Sequence, residues 1–318
     1  MATAHFYGPY LGKQVPILGT EGKYGTLAAA LADIDAGKTL WVEPGEFAVS
    51  GHVGIPSGVT IMGVDRDQCI LNYAASAELM FQGPGAFCNL HCKGAASVTF
   101  AGITVPGTGL IRVEGCRFVD GGQVRAGAKW NGDWIIENNE WRNLPYAQAL
   151  NFNNGTNHSA GKLWIINNRF TGSVGDSVTY VLLSGGHSAF SDLLVQGNYM
   201  RLHKSTGTPT RWVGMWTSTS SPKEHLINNT FILSSDDGDE IYGVEKVTEA
   251  FQDTYPTYLH DHVSEISTSG TWADLLGFQK TTPLNKFIVS GGRINKMDKV
   301  NGATVGGVLS LVAGGQGQ

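Results

Sequence analysis

The stretch Leu163-Trp-Ile-Ile-Asn-Asn-Arg-Phe170 recurs, in altered copies, along its own chain. Trp134-Ile-Ile-Glu-Asn-Asn-Glu-Trp141 precedes it. Leu193-Leu-Val-Gln-Gly-Asn-Tyr-Met200, Leu226-Ile-Asn-Asn-Thr-Phe231 and Phe287-Ile-Val-Ser-Gly-Gly-Arg-Ile294 follow it. Each copy is a short apolar run, a Gly or Asn, and a return to a large apolar residue. A unit of this size cannot bury its apolar face alone and must stack on its neighbours. Taking the Gly or Asn after each run as an anchor gives Gly63, Asn89, Gly115, Asn138, Asn167, Gly197, Asn228 and Gly291. The intervals are 26, 26, 23, 29, 30, 31 and 63 residues, the last leaving room for two coils, one of them aberrant.

Three rows emerge from that alignment. Ile111, Trp134, Leu163, Leu193 and Phe287 stand four positions before their anchors. Val113, Ile136, Ile165, Val195, Leu226 and Val289 stand two before. Successive side chains of a strand point to opposite faces, so these two rows share one face. Cys92, Phe118, Trp141, Phe170, Met200, Phe231 and Ile294 stand three after and re-enter the core on the next strand. Asn tolerates the left-handed backbone of a corner, and its amide can bond the copies above and below. The corner carries Asn138, Asn167 and Asn228, with Asn139, Asn168, Asn198 and Asn229 beside them.

These features predict an all-β chain folded as a parallel β-helix, a solenoid of about eight to ten coils. The solenoid spans 26–296, with 232–286 read as an insertion or an irregular coil. Before it lies an extended arm, 1–25, and after it a Gly-rich tail, 297–318. Thr26 is the expected N-cap of a short helix, Leu27–Ile34, that stops at Gly37. The 43 glycines and a charged fraction of only 15%, against an average near 25%, suit a tightly wound, turn-rich fold.

The segment Tyr24–Leu71 resembles the opening of pectate-lyase-like right-handed β-helices, including those of phage tailspike type. It shares the short helix, the strand and turn Leu40-Trp-Val-Glu-Pro-Gly-Glu-Phe47, and Ile55-Pro-Ser-Gly-Val-Thr-Ile-Met-Gly63 before Cys69-Ile-Leu71. The Asn-Asn copies between 134 and 231 are similar to the later coils of that superfamily. The resemblance covers roughly 24–295 and implies a right-handed solenoid. It speaks for fold more than for function, because this fold hosts lyases, hydrolases, adhesins and inert virion parts.

Outward positions carry the functional expectations. Three before each anchor are Arg112, Ile135, Trp164, Leu194, His225 and Ile288. Ile135, Trp164 and Leu194, with Ile288 further along, would form an apolar outer strip where a soluble sheet is usually polar. Either a loop or the arm folds over that strip, or the chain self-associates there; resemblance to phage β-helices makes the oligomer a trimer. The acidic run Asp236-Asp-Gly-Asp-Glu240 offers Asp236, Asp237, Asp239 and Glu240 as a cation or acid/base site, or as a solvated loop. Asp176 with His187 and Arg293-Ile-Asn-Lys296 are degraded matches to polygalacturonase phrases. His260-Asp-His262 lacks a third ligand at a telling distance and reads as a loop or surface pair. Cys88, His91 and Cys92 lack the second pair that zinc would need and read as core.

A net charge of −5 and the lack of a basic block argue against nucleic acid as a partner. No run of about 18 apolar residues argues for a membrane span. Met1-Ala-Thr-Ala-His-Phe-Tyr7 lacks signal-peptide features, so the four Cys (69, 88, 92 and 116) are expected as reduced thiols in a protein made in the host cytoplasm. No cofactor or metal is expected. With the resemblance, these features imply a non-enzymatic phage virion structural protein: a trimeric capsid decoration (cement) protein or compact spike, attached to the major capsid or another virion protein. The alternative is a tailspike-like polysaccharide depolymerase or lyase acting on bacterial surface glycans.

Overall fold

The computed structural model describes residues 17–19, 24–94, 99–103, 107–126, 130–145, 149–152, 161–175, 178, 180–184, 190–205, 211–218, 224–236, 240–247, 257–268, 273–278, 286–290, 293–294, 308–311 and 316–317. The apolar runs pair with their copies in parallel and build a right-handed parallel β-helix of three sheets, with 12, 11 and 9 strands among the described residues. Each coil places one strand in the first sheet, passes its anchor, enters the second sheet, and then crosses to the third. Among the described residues, the nine strands of the third sheet mark nine coils that contribute to all three.

The anchors are the corners between the first and second sheets. Asn89, Gly115, Asn138, Asn167, Gly197, Asn228 and Asp261 all adopt left-handed backbone, with φ between 51° and 65°. Asp261 fills the long interval before Gly291. Asp tolerates this conformation as Asn does, because its short polar side chain can bond locally.

Stacking aligns like with like. In the second sheet Phe47, Leu71, Cys92, Phe118, Trp141, Phe170, Met200, Phe231, Ser264 and Ile294 occupy one register row. Phe118 stacks on Trp141 at 4.7 Å between centroids, and Trp141 on Phe170 at 4.8 Å, which is the strand spacing itself. In the first sheet, Val113, Ile136, Ile165, Val195 and Leu226 form a fully buried aliphatic row.

A second ladder runs just past the corner. The Asn139 amide donates to Asn168 Oδ1 at 3.0 Å, Asn168 to Asn198 at 3.0 Å, and Asn198 to Asn229 at 2.9 Å. Each Oδ1 also accepts the backbone N–H of the preceding rung, at 2.9–3.0 Å. Their second amide protons reach backbone carbonyls of the first sheet at 2.8–2.9 Å. Four buried asparagines are thereby satisfied, which is the condition for placing them inside. His262 continues the ladder. Its Nδ1 accepts the Asn229 N–H at 3.1 Å, and its Nε2–H donates to the Leu226 carbonyl at 3.0 Å.

The ends follow the same lattice. Leu27–Asp33 is helical, capped by Thr26, whose hydroxyl accepts from the Ala29 N–H; Leu27, Ala30 and Leu31 are buried over the first coil. Within the arm, Ile17–Leu18 pairs with Trp41 and Val42. In the interval 232–286, Glu240–Val247 and Ala273–Phe278 join the third sheet, Thr257–His260 the first and Val263–Thr268 the second. Its described part thus runs within the solenoid. In the tail, Val308–Leu311 pairs with Lys286–Ser290, and Gln316–Gly317 with Arg293–Ile294.

Candidate functional site

The outer face of the second sheet changes character at a bulge. Arg142 pairs with Thr171, but Leu144 pairs with Val174, so one extra residue enters the later strand. Gly172 sits there at φ +100°, and a Cβ on it would fall 2.2 Å from Asn143 Oδ1. Only glycine admits both the backbone angle and the approach. Beyond the bulge the strands Arg169–Val174, Tyr199–Lys204, Thr230–Ser235 and Val263–Thr268 form the floor of a groove of about 790 Å³.

The groove is polar and rigidly mounted. Arg169, Arg201, His203, Ser234 and Glu265 line it, with Ile232 as an apolar patch. Ser173, His203, Ser234 and Ser267 occupy one outward row across four strands. His203 Nδ1 lies 2.9 Å from Ser234 Oγ, and its Nε2 lies 3.2 Å from Asp236 Oδ2. The Arg169 guanidinium rests over the Tyr199 ring at 5.0 Å. Among the described residues, neither Arg169 nor Arg201 has a carboxylate partner within salt-bridge distance.

Before the bulge the same sheet is closed by ion pairs. Arg117 bridges Asp67 at 2.5 Å and Glu140 at 3.0 Å, and Arg142 meets Glu140 at 2.7 Å. Lys93 pairs with Glu46 at 2.9 Å. Burial opposes the charge of Glu140, but hydrogen bonds from Arg142 and Arg117 outweigh it and lower its pKa. The bond from Lys93 likewise lowers that of Glu46.

On the first sheet, Arg112, Ile135, Trp164, Leu194, His225, Tyr258 and Ile288 follow one another in register on the outward row. Ile135, Trp164 and Leu194 are half-buried, each flanked by its row neighbours. Lys162 covers the Trp164 ring at 5.6 Å. The apolar stretch is three coils long. Arg112, paired with Glu114 and Glu137, bounds it on one side, and His225, stacked on Tyr258 at 5.0 Å, bounds it on the other. The side chain of Ile288 lies outside the described residues.

Of the acidic run, Asp236 is bonded to His203, which lines the groove, while Asp237 and Asp239 lie outside the described residues. Glu240 opens a third-sheet strand, and its side chain lies outside them too. Asp176 and His187 also fall outside. The sequence expectation for His260-Asp-His262 needs correcting. Asp261 is a corner and His262 is buried in the ladder, leaving His260 on the outer face beside Tyr258. Burial drives the His262 pKa down to about 4. Its two backbone bonds fix the neutral ring, so it is a structural group and not a ligand.

All four cysteines are buried free thiols. Burial, with Glu114 nearby, lifts Cys88 to about 11, and burial raises Cys69, Cys92 and Cys116 as well. They are protonated core residues, not nucleophiles. Among the described residues no group of three or more His, Cys, Asp or Glu is placed to hold a metal. No helix among them is long and apolar enough to cross a membrane.

The groove residues were not found from the sequence. Ser173, His203 and Ser234 stand six positions after the anchors Asn167, Gly197 and Asn228, and Ser267 six after the corner Asp261. Reading every outward position against the anchors would have exposed that row. Compared with protein-family models, with curated proteins and with solved structures, the chain matches none. The fold defines its class, a right-handed parallel β-helix with two distinct outer faces: a half-buried apolar row and a polar groove.

Proposed function

We propose that the chain is a structural component of a phage virion surface, a capsid decoration protein or compact spike that works as a trimer. The observation that carries this is the unbroken register of Ile135, Trp164 and Leu194 on the outer face of the first sheet. A straight parallel sheet repeats its side chains every 4.7–4.9 Å or so, so a row on one copy can meet the same row on another along its length. The resemblance to phage β-helices supports the trimer and the virion setting. The solenoid would act mechanically, bridging capsid subunits, with the arm or the tail as a strap.

Sedimentation over a range of concentrations tests assembly. Three chain masses are expected for the native protein, and one for Trp164→Asp with unchanged circular dichroism. A native protein that stays monomeric at all concentrations contradicts the trimer. Mass spectrometry of intact virions tests the location, and a chain missing from purified particles contradicts it.

One observation favours a second reading, a polysaccharide depolymerase or lyase. Arg169 and Arg201 lie without carboxylate partners among the described residues, in a groove whose His203 is bonded to Asp236. Chain-shortening of a capsular or uronate polysaccharide, lost on Asp236→Asn, would favour it over a purely mechanical role.

A further inference from the structure

We propose that Ser234, His203 and Asp236 form an acyl-transfer site that hydrolyses carboxylic esters carried on anionic molecules. The inference is independent of assembly through the first sheet, because it concerns the opposite outer face of the corner.

Hydrogen-bond direction is the starting point. The Asp236 carboxylate only accepts, so the imidazole nitrogen facing it, Nε2, must carry the proton. That leaves the Nδ1 lone pair facing Ser234 Oγ at 2.9 Å, and the serine hydroxyl donates to it. The opposite tautomer would set a lone pair against a carboxylate. The acid thus selects the one ring state that can take the serine proton, which is the division of labour in a Ser-His-Asp set, with the two ring nitrogens exchanged. Ser173 and Ser267 share the row but have no such bond among the described residues.

Placement adds to this. His203 and Ser234 are direct partners on neighbouring parallel strands, 31 residues apart, so the lattice fixes their separation. Asp236 follows Ser234 by two residues, and its own N–H is held by the Lys204 carbonyl at 3.1 Å. The groove of about 790 Å³ has room for an acyl group and its carrier. Ile232, two residues before Ser234, offers the acyl chain an apolar wall. Arg201, two before His203 on the same face, brings a guanidinium for the developing oxyanion or a carrier anion, with Arg169 beyond it.

The chemistry balances without a metal or redox partner. Ser234 Oγ attacks the ester carbonyl carbon as its proton passes to His203 Nδ1. The C–O bond to the alcohol breaks, and the alcohol leaves with that proton. Water, deprotonated by the same nitrogen, then attacks the acyl-serine and releases the carboxylic acid, restoring Ser234. Ser234 and His203 are the catalytic residues; Asp236 is a positioning residue.

The test uses the full chain. A fluorophosphonate probe followed by peptide mapping should place one adduct on Ser234, and p-nitrophenyl acetate should be turned over. Ser234→Ala and His203→Ala should each lose at least about 100-fold in kcat/KM. Asp236→Asn should lower kcat about tenfold with KM unchanged, and Asp236→Glu should recover most of it. Arg201→Gln should raise KM for p-nitrophenyl hemisuccinate more than for the acetate. No adduct on Ser234 in a chain with a native melting curve, or equal turnover by Ser234→Ala, overturns the proposal. Neither result bears on the sedimentation test, so the two fail separately.

Discussion

The two halves of the second sheet share one backbone lattice and use it differently. In the half ending at Glu140–Leu144 the outward charges find opposite partners: Arg117 faces Glu140 on the neighbouring strand, Arg142 meets Glu140 along its own strand, and Lys93 reaches Glu46 two coils away. In the half beginning at Arg169–Val174, Thr171, Arg201 and Ile232 follow one another, so the cation meets a hydroxyl and an alkyl group. The first half is a sealed wall and the second a receptive groove, with the Gly172 bulge at the boundary. The interior changes over the same interval. The stacked rings of Phe118, Trp141 and Phe170 give way to Met200, Phe231 and Ser264, and the Asn ladder ends on His262. Stacked rings and ion pairs close the sheet before the bulge, and polar groups that a ligand can use are gathered beyond it.

Substitution in the shared interior row should separate the halves most. Trp141→Ala removes a fully buried ring from a stack and should cost about 4 kcal/mol. Ser264→Ala, four coils on in the same row, should cost about 1 kcal/mol. Equal losses in urea unfolding would break the comparison.

Acid should act next, and on the later half. His262 has a folded pKa of about 4 against an ordinary value of 6.5. Between those values the unfolded chain binds a proton that the native chain refuses, so this contribution is intact above pH 6.5 and is lost as pH falls to 4. The loss amounts to about 3 kcal/mol. His262→Asn carries the ladder on without a titrating ring. Urea midpoints at pH 7 and 4.5 should therefore fall further for the native protein than for the variant.

The smallest difference lies at the surface. Arg117→Ala strands Glu140, which is mostly buried, and should cost about 2 kcal/mol. Arg201→Ala has no ion pair to break and should change stability by no more than about 0.5 kcal/mol. Comparable losses at both positions would mean that the groove is as sealed as the wall.

Most of the architecture was legible because a solenoid writes its lattice into the sequence. Phe118, Trp141 and Phe170 sit three after their anchors, and they stack on one another. The coil at 257–268 was hidden because Asp261-His262 replaces Asn-Asn and Ser264 replaces the aromatic; each substitution satisfies the same physical need by other chemistry. The outward row through Trp164 was legible by the same counting, but its half-burial was not. That depends on how far Lys162 and the row neighbours lean over it. The contact of His203 with Ser234 and Asp236 was illegible to motif reading, since its members come from two coils and meet only through register.

Side-chain footprinting with hydroxyl radicals, across concentrations that span assembly, tests the division into two faces most directly. Trp164 and Tyr258 on the first sheet should become protected as the trimer forms, while Tyr199 and His203 on the second sheet stay reactive throughout. Protection of the second-sheet residues instead, or a Trp164 equally reactive at every concentration, would contradict the account.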